Sequence, residues 1–301
     1  LQPGEALVYE NEVLVANINM DNFSLNQISK MTDIHEKLFF IEKPTDIFSY
    51  NDKAIDFDFK LLTEGRQSQE LSSTNGFIGE KENLFIEEGA MVEFSTLNCK
   101  TGKIYIGKNA EIMEGSNIRG SLALCEDSKI NLGTKLYGGT TIGPHSKVGG
   151  EVNNIVIFGY SNKGHDGFVG NSVIGEWCNL GADTNSSNLK NNYASVKLWN
   201  YRKKRFLDTG LQFCGLIMGD HSKTAINTQL NTGTVVGVAA NIFKSGFPPN
   251  LIDNFSWGGM KGDEKFKLEK SYEVAEKAME RRKIAITETD KEILKHIYNE
   301  F

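Results

Sequence analysis

The feature that most constrains this chain is a period of six. From Ile106 an aliphatic residue recurs at every sixth position, through Ile112, Ile118, Leu124, Ile130, Leu136 and Ile142 to Val148. A small residue follows four positions after most of these, at Ala110, Ser116, Ser128, Thr134, Thr140 and Ser146. The same pairing returns at Ile174/Cys178, Leu180/Thr184, Leu230/Thr234 and Val236/Ala240. Helices repeat near 3.6 residues and strands near 2, so neither explains a strict six. A hexapeptide parallel β-helix does. Each unit makes a short strand and a tight corner, three units make one triangular coil, and the aliphatic side chain points into the prism beside the small corner residue. The expected fold is mainly β: a left-handed parallel β-helix, with a small α/β segment before it and helices after it.

Three segments emerge from this pattern: 1–75, 76–262 and 263–301. The first lacks the hexad. Glu5–Asn17 reads as two strand pieces, Phe23–Met31 as a short helix capped by Asn22 or Ser24, and Phe57–Leu62 as another helix. This is too little core for an independent domain, and it reads as the tail of a larger α/β domain. The prism begins near Ile78, is interrupted over 149–167, resumes at Phe168, sends out a polar loop at about 185–215 and stops at Phe247-Pro248-Pro249. Helical spacing of Phe266, Tyr272, Ala275 and Met279 places a helix over Glu264–Arg282. A capping box at Thr289-x-x-Glu292 opens a second helix to Phe301. An open prism end leaves unpaired strand edges, and both terminal segments are candidate covers.

Composition limits the partners. A net charge of −6 argues against nucleic acid, and no run of about 18 apolar residues is present to span a membrane. The four cysteines form no CxxC pair. They read as reduced, small hydrophobic residues of a cytoplasmic protein.

Each of the five histidines can be weighed. His35 and His296 lie outside the repeat and are expected at the surface. His145 and His221 sit three residues after a hexad aliphatic, at outward corners where solvent exposure is expected. His165 differs. It lies in Lys163-Gly164-His165-Asp166-Gly167, where the repeat breaks, and the flanking glycines leave its ring open to a ligand. Polar residues come after it at Asn171, Asn179, Thr184 and Asn188.

Gly164-His165, then Gly170-Asn171, Val173-Ile174-Gly175, Asn179-Leu180-Gly181-Ala182 and Thr184 through Asn188 resemble the C-terminal half of the bifunctional N-acetylglucosamine-1-phosphate uridyltransferase / glucosamine-1-phosphate N-acetyltransferase family, and the whole chain looks most like its divergent bacterial branch. The resemblance covers about residues 78–245 and is strongest over 151–188. It implies His165 as catalytic base and Glu151 as a supporting carboxylate. It also implies Asn179 and Asn188 as sugar ligands and Ala182 as a backbone contact to the thioester or acetyl group. The chain departs from the family at Asn153, which stands where a sugar-phosphate lysine is expected, and at Phe168 and Leu189, which replace two tyrosines. No arginine-bearing loop is found in 140–150. Lys163, Lys190 and Lys197 are either point-charge phosphate binders in its place or ordinary solvated lysines. The run Arg202-Lys203-Lys204-Arg205 either meets the phosphates of coenzyme A or is a solvated loop.

The resemblance implies transfer of acetyl from acetyl-CoA to an amino-sugar phosphate, with glucosamine 1-phosphate favoured, for UDP-N-acetylglucosamine and cell-envelope synthesis. It also implies a homotrimer with sites between subunits. An imidazole with a pKa near 6.5 suits removal of the amine proton at neutral pH, and glycine-rich corners offer N–H donors to the tetrahedral intermediate. Prism enzymes that hold a metal need clustered histidines, and none are closer than His145 and His165. The alternative enzyme reading is a sugar-1-phosphate nucleotidyltransferase, requiring Mg, with the prism as a trimerisation or regulatory part. Residues 1–75 show no glycine-rich phosphate loop, so this chain alone is not expected to transfer nucleotidyl groups. Asn51 and Asp52 read as a loop turn or as residual metal or sugar ligands. A binding protein with no activity is the third reading.

Overall fold

The computed structural model describes residues 1–19, 24–36 and 38–300. The chain divides into two compact units, Leu1–Ile41 and Glu42–Phe301. In the first, strands β1 (Glu5–Tyr9) and β2 (Glu12–Ala16) form an antiparallel hairpin, and β3 (Lys30–Asp33) pairs parallel with β1. Glu10 and Asn11 turn the hairpin with φ of 48° and 68°, a two-residue geometry whose twist matches the flanking strands. The helix expected over 23–31 does not form. Asn22 and Phe23 lie outside the described residues. From Ser24 the chain makes one 3-10 turn, Leu25–Gln27, capped by the Ser24 side chain and leading into β3. Strand pairing overrides local propensity here.

The second unit opens with α1 (Pro44–Ser49) and α2 (Asn51–Thr63). Both helices pack on the prism, so the segment expected to run to residue 75 divides at 41/42 instead. Asn51 is a docking group. Its Nδ2 donates to the Gly139 carbonyl at 2.8 Å, and its Oδ1 accepts from Thr141 Oγ1 at 2.8 Å. Asp52 accepts from Ser121 Oγ. Neither is a turn residue: Asn51 and Asp52 begin α2 and fasten it to the coils.

The prism has three parallel faces. On the first, strands at 76–78, 96–98, 117–119 and 135–137 continue through 151–153, 168–170, 185–186 and 229–230. The second runs from Leu84–Ile86 to Leu251–Ile252, and the third from Met91–Val92 to Trp257–Gly258. Inward residues stack in rows. Ile112, Ile130 and Val148 are register partners on the third face, and each is at most 1 % exposed. Three hexads separate successive partners in this region, as the six-residue period requires.

The interruption expected over 149–167 is one of pattern, not of coil. Val148 pairs with Lys163, only fifteen residues on. Two residues are saved at the Gly149-Gly150 corner, where Val148 reaches Val152 in four steps, and one at the corner between the first and second faces, where Val152 reaches Ile157 in five. There the seven-residue strands Glu151–Ile157 and Phe168–Ile174 bend at Asn154 and Asn171, with φ of 53° and 48°. Asparagine tolerates this left-handed conformation. The polar excursion runs over 187–215 and contains a hairpin, Lys197–Asn200 with Arg205–Asp208. Val196, Leu198 and Cys214 of this excursion pack with Phe48 of α1 and with Val173 and Val235. The prism does not end at Pro248-Pro249. One more coil comes after them, because Leu251–Ile252 pairs with Val235–Val236 and Trp257–Gly258 with Asn241–Ile242. The prolines lie where the first face carries no strand, so their missing N–H groups cost no ladder bond.

Helices α3 (Leu268–Glu280) and α4 (Glu288–Glu300) close the chain. The cap of α4 is Thr287-x-x-Asp290, not Thr289-x-x-Glu292. Asp290 N donates to Thr287 Oγ1 at 3.1 Å, and Thr287 N donates to Asp290 Oδ2 at 2.8 Å. Leu294, Ile297 and Tyr298 of α4 pack on Ala239, Phe255 and Phe266. The tip of α3 is tied back to the coils by Arg282 Nη2, which donates to the His145 carbonyl at 3.1 Å. No helix of the described residues is long and apolar enough to cross a membrane.

Candidate active site

His165 sits in the turn after strand Asn162–Lys163, at the corner between the third and first faces. Its imidazole is exposed, but its backbone is held. Asn131 Nδ2 donates to the Gly164 carbonyl at 2.7 Å, and Lys163 Nζ donates to the His165 carbonyl at 2.7 Å. The coil beneath makes room with glycine: a Cβ on Gly149 would fall 2.5 Å from the Gly164 oxygen.

Lys163 is the surprise of this turn. It occupies the inward row of the third face, between Val148 and Leu180, and is 2 % exposed. Burial pushes its pKa down to about 8, against the opposing fields of Asp166 and Asp183. A side chain facing inward cannot offer a charge to a phosphate at the surface. Its place is instead beneath the His165 turn.

The cavity beside His165 has a volume of about 530 Å³ and lies between the third face and the end of α3. Asn179 lines it, and its strand Asn179–Leu180 lies between Asn162 and Lys223. Lys147, Lys223, Arg281 and Arg282 also line it, together with Asn131, Tyr160 and Trp177. None of these four cations is a candidate on sequence grounds alone. Lys147 and Lys223 each precede an inward residue, Val148 and Thr224, so the strand period marks them only as outward on the third face. The arginines approach only through the fold of α3, 137 residues from His145 in sequence.

The other expected residues lie elsewhere on this chain. Glu151 begins a strand on the first face, where its Oε1 accepts from Tyr137 OH at 2.8 Å and Lys135 Nζ stands 4.0 Å away. Burial and the Glu151 carboxylate both raise the Tyr137 pKa. The Glu151 backbone adjoins the histidine turn, its N–H donating to the Gly167 carbonyl at 3.2 Å. Asn153 comes next on that face, paired in register with Tyr137 and Gly170. Asn188 Nδ2 donates to Asn171 Oδ1 at 2.8 Å, at the corner between the first and second faces. The Ala182 carbonyl accepts from Asn227 N at 2.7 Å. Lys190 Nζ donates to the Ser195 carbonyl at 2.6 Å and, with Lys197, lines a separate cavity of about 910 Å³ at the far end of the prism. Arg202 and Lys203 are exposed at the hairpin tip and do not line the His165 cavity. His165 and Asn179 are therefore the only two expected site residues that share it.

His145 and His221, expected in solvent, belong to a column. His145, Tyr160, Trp177 and His221 stack along the corner between the second and third faces, with ring centroids 4.9, 4.2 and 6.4 Å apart in turn. All four have φ between 57° and 60°, so successive coils project them in parallel. Burial lowers the His221 pKa to about 4, helped by Lys223 and opposed by Asp290, and its Nδ1 is buried without a hydrogen-bond partner. Among the described residues no three His, Cys, Asp or Glu side chains converge as a metal site.

Comparison with known proteins gives one family match, at the start of the chain, and several relatives. Residues 1–67 match the family described as sugar nucleotidyl transferase. A bifunctional sugar-1-phosphate nucleotidylyltransferase/acetyltransferase from Sulfurisphaera tokodaii is 32 % identical over 144 residues, which is 47 % of this chain and 35 % of that protein. The bifunctional protein GlmU of Methanocaldococcus jannaschii is 37 % identical over 87 residues, 29 % of this chain and 21 % of its own length. The alignments thus span about a third or less of either relative. A solved UDP-N-acetylglucosamine acyltransferase from Campylobacter jejuni aligns over 76 % of this chain and 83 % of its own, at 12 % identity. Its TM-score of 0.30 is too low to bear on function.

Proposed function

We propose that this chain is an acyltransferase that moves acetyl from acetyl-CoA to the amine of an amino-sugar phosphate, with His165 as general base. One observation carries the reading: an exposed imidazole, on a backbone anchored by Lys163 and Asn131, faces a cavity that also holds Asn179 and four cations. Removal of the ammonium proton and attack on the thioester carbonyl need a neutral imidazole within reach of the amine. The thioester is already activated, so no nucleophilic side chain is required. The relative from Sulfurisphaera tokodaii, a sugar-1-phosphate nucleotidylyltransferase/acetyltransferase by name, supports acetyl transfer to a sugar phosphate as the chemistry, and a cytoplasmic setting agrees with it.

The position of Glu151, Asn153 and Asn188 supports a trimer. They lie on the first face and its far corner, whereas Asn179 is on the third. A site that uses all of them has to be completed by a neighbouring copy. Light scattering that gives a monomer mass at working concentration would remove this part of the reading. The test of activity is thiol release from acetyl-CoA with glucosamine 1-phosphate and a panel of other amino sugars. Release with at least one acceptor is expected, and silence across the panel would end the proposal.

A second reading is kept because residues 1–67 match a sugar nucleotidyl transferase family. In it the prism is a trimerisation or regulatory part of a Mg-dependent nucleotidyltransferase. Pyrophosphate formation from a nucleoside triphosphate and a sugar 1-phosphate by the purified chain would establish it.

A further inference from the structure

The His165 cavity is lined by Lys147, Lys223, Arg281 and Arg282, and by no carboxylate. That is unusual for a chain with 39 acidic residues and a net charge of −6. The contrast is visible within one row. Lys129 and Lys147 are register partners on the third face. Lys129 is paired with Glu111, yet Lys147 makes no ion pair among the described residues. Its next neighbours along the row, Asn162 and Asn179, are neutral.

The other cations are held without being neutralised. Arg282 Nη2 donates to the His145 carbonyl at 3.1 Å, and Lys223 Nζ to the His221 carbonyl at 2.9 Å. A carbonyl fixes direction but does not cancel charge. Gathering like charges in a partly desolvated space is unfavourable unless a counter-charge arrives. Burial lowers the Lys223 pKa, because desolvation disfavours its charged form. A volume of about 530 Å³ suits a small ligand. Arginine forks and lysine point charges are the usual partners of phosphate oxygens, and the amides of Asn131, Asn162 and Asn179 add neutral donors.

We propose that this cavity is a phosphate site, receiving a phosphate monoester or diphosphate through Lys147, Lys223, Arg281 and Arg282. It rests on the acyl-transfer reading only for what that phosphate is attached to, the sugar acceptor or the coenzyme. It places phosphate recognition on α3 and the third face, away from Asn153, Lys190 and the hairpin tip.

Calorimetric titration of the full chain with inorganic phosphate, pyrophosphate, glucosamine 1-phosphate and coenzyme A tests this without turnover. The comparison is a Lys147→Gln/Arg281→Gln variant, because neither side chain makes a hydrogen bond or ion pair among the described residues. At least one phosphate compound is expected to bind the native chain, with affinity reduced roughly tenfold or more in the variant. Preference for the sugar phosphate assigns the site to the acceptor, and preference for coenzyme A or pyrophosphate assigns it to the donor. If none of the four binds, or if the variant binds them equally well, the assignment is overturned. Binding without any thiol release would sink the acyl-transfer reading and leave the phosphate site standing.

Discussion

The coils from Ile104 to Val148 and the coils from Glu151 to Ser186 share three faces and parallel pairing, but they treat the interior differently. In the first set the inward row of the third face is Ile112, Ile130 and Val148. In the second the same row admits Lys163. The first set keeps the six-residue step, whereas the second shortens it at Asn154 and Asn171. The candidate site lies against the irregular set. A repeat whose every position agrees with its neighbours is stable and featureless, and departures from it mark places where stability is not the only demand.

The sharpest way to break this contrast is to put into the regular coils what the irregular ones tolerate. Ile130→Lys places an amine in the same row, two partners away, between the inward aliphatic residues Ile112 and Val148. A loss of about 5 kcal/mol, or failure to fold, is expected in denaturant titration. A variant as stable as the native chain would show that the interior accepts lysine anywhere.

His165→Ala addresses function alone. It should lower kcat for thiol release by about 10²–10⁴-fold and leave the melting temperature nearly unchanged, because the exposed ring buries little. Full activity in this variant would reassign the base.

Lys163→Met should move stability the other way. The folded pKa of about 8 lies below the ordinary lysine value of 10.5, so the unfolded chain holds the proton more tightly. The buried ammonium therefore costs about 3 kcal/mol below pH 8. That cost fades as pH rises from 8 towards 10.5. The variant should be more stable at pH 7, with its advantage shrinking over that window, and less active because the His165 carbonyl loses its donor. An advantage independent of pH would mean that Lys163 keeps its ordinary lysine pKa when folded.

His221 gives a smaller effect in acid. Its folded pKa of about 4 lies below 6.5, so its neutral form supports the fold above pH 6.5, and that support is lost as pH falls towards 4. At pH 5 the loss is about 2 kcal/mol. His221→Phe should flatten the difference in stability between pH 7 and pH 5 by that amount.

Regularity decides how much of this molecule can be read from its residues. Where hexads run unbroken, as from Ile106 to Val148, the inward residues can be named by counting. Counting fails after Val148, because the Gly149-Gly150 corner drops two residues and the left-handed corner at Asn154 a third, which shifts the register. Lys163 consequently reads as a loop lysine, when in fact it replaces an aliphatic residue. His165 is legible because glycines flank it at the break. Its cationic surroundings are only half legible. The strand alternation around Val148 and Thr224 exposes Lys147 and Lys223, but nothing local brings Arg281 and Arg282 to the same place, since helix packing decides that. The last coil escapes counting because Pro248 and Pro249 read as a stop, although they occupy a stretch where no ladder needs their N–H groups.

The stacked corner has an optical consequence. Trp177 lies 4.2 Å from Tyr160, with the rings within 5° of parallel, and both line the His165 cavity. Tyrosine excitation at that separation passes to the indole, and the neighbouring His221 quenches indole emission when it is protonated. Trp199 is on the hairpin and Trp257 in the final coil, so replacing those two with phenylalanine leaves Trp177 as the only remaining one of the three tryptophans. The molecule then carries its own fluorescent gauge, one that senses solvent and ligand where the cavity meets the column.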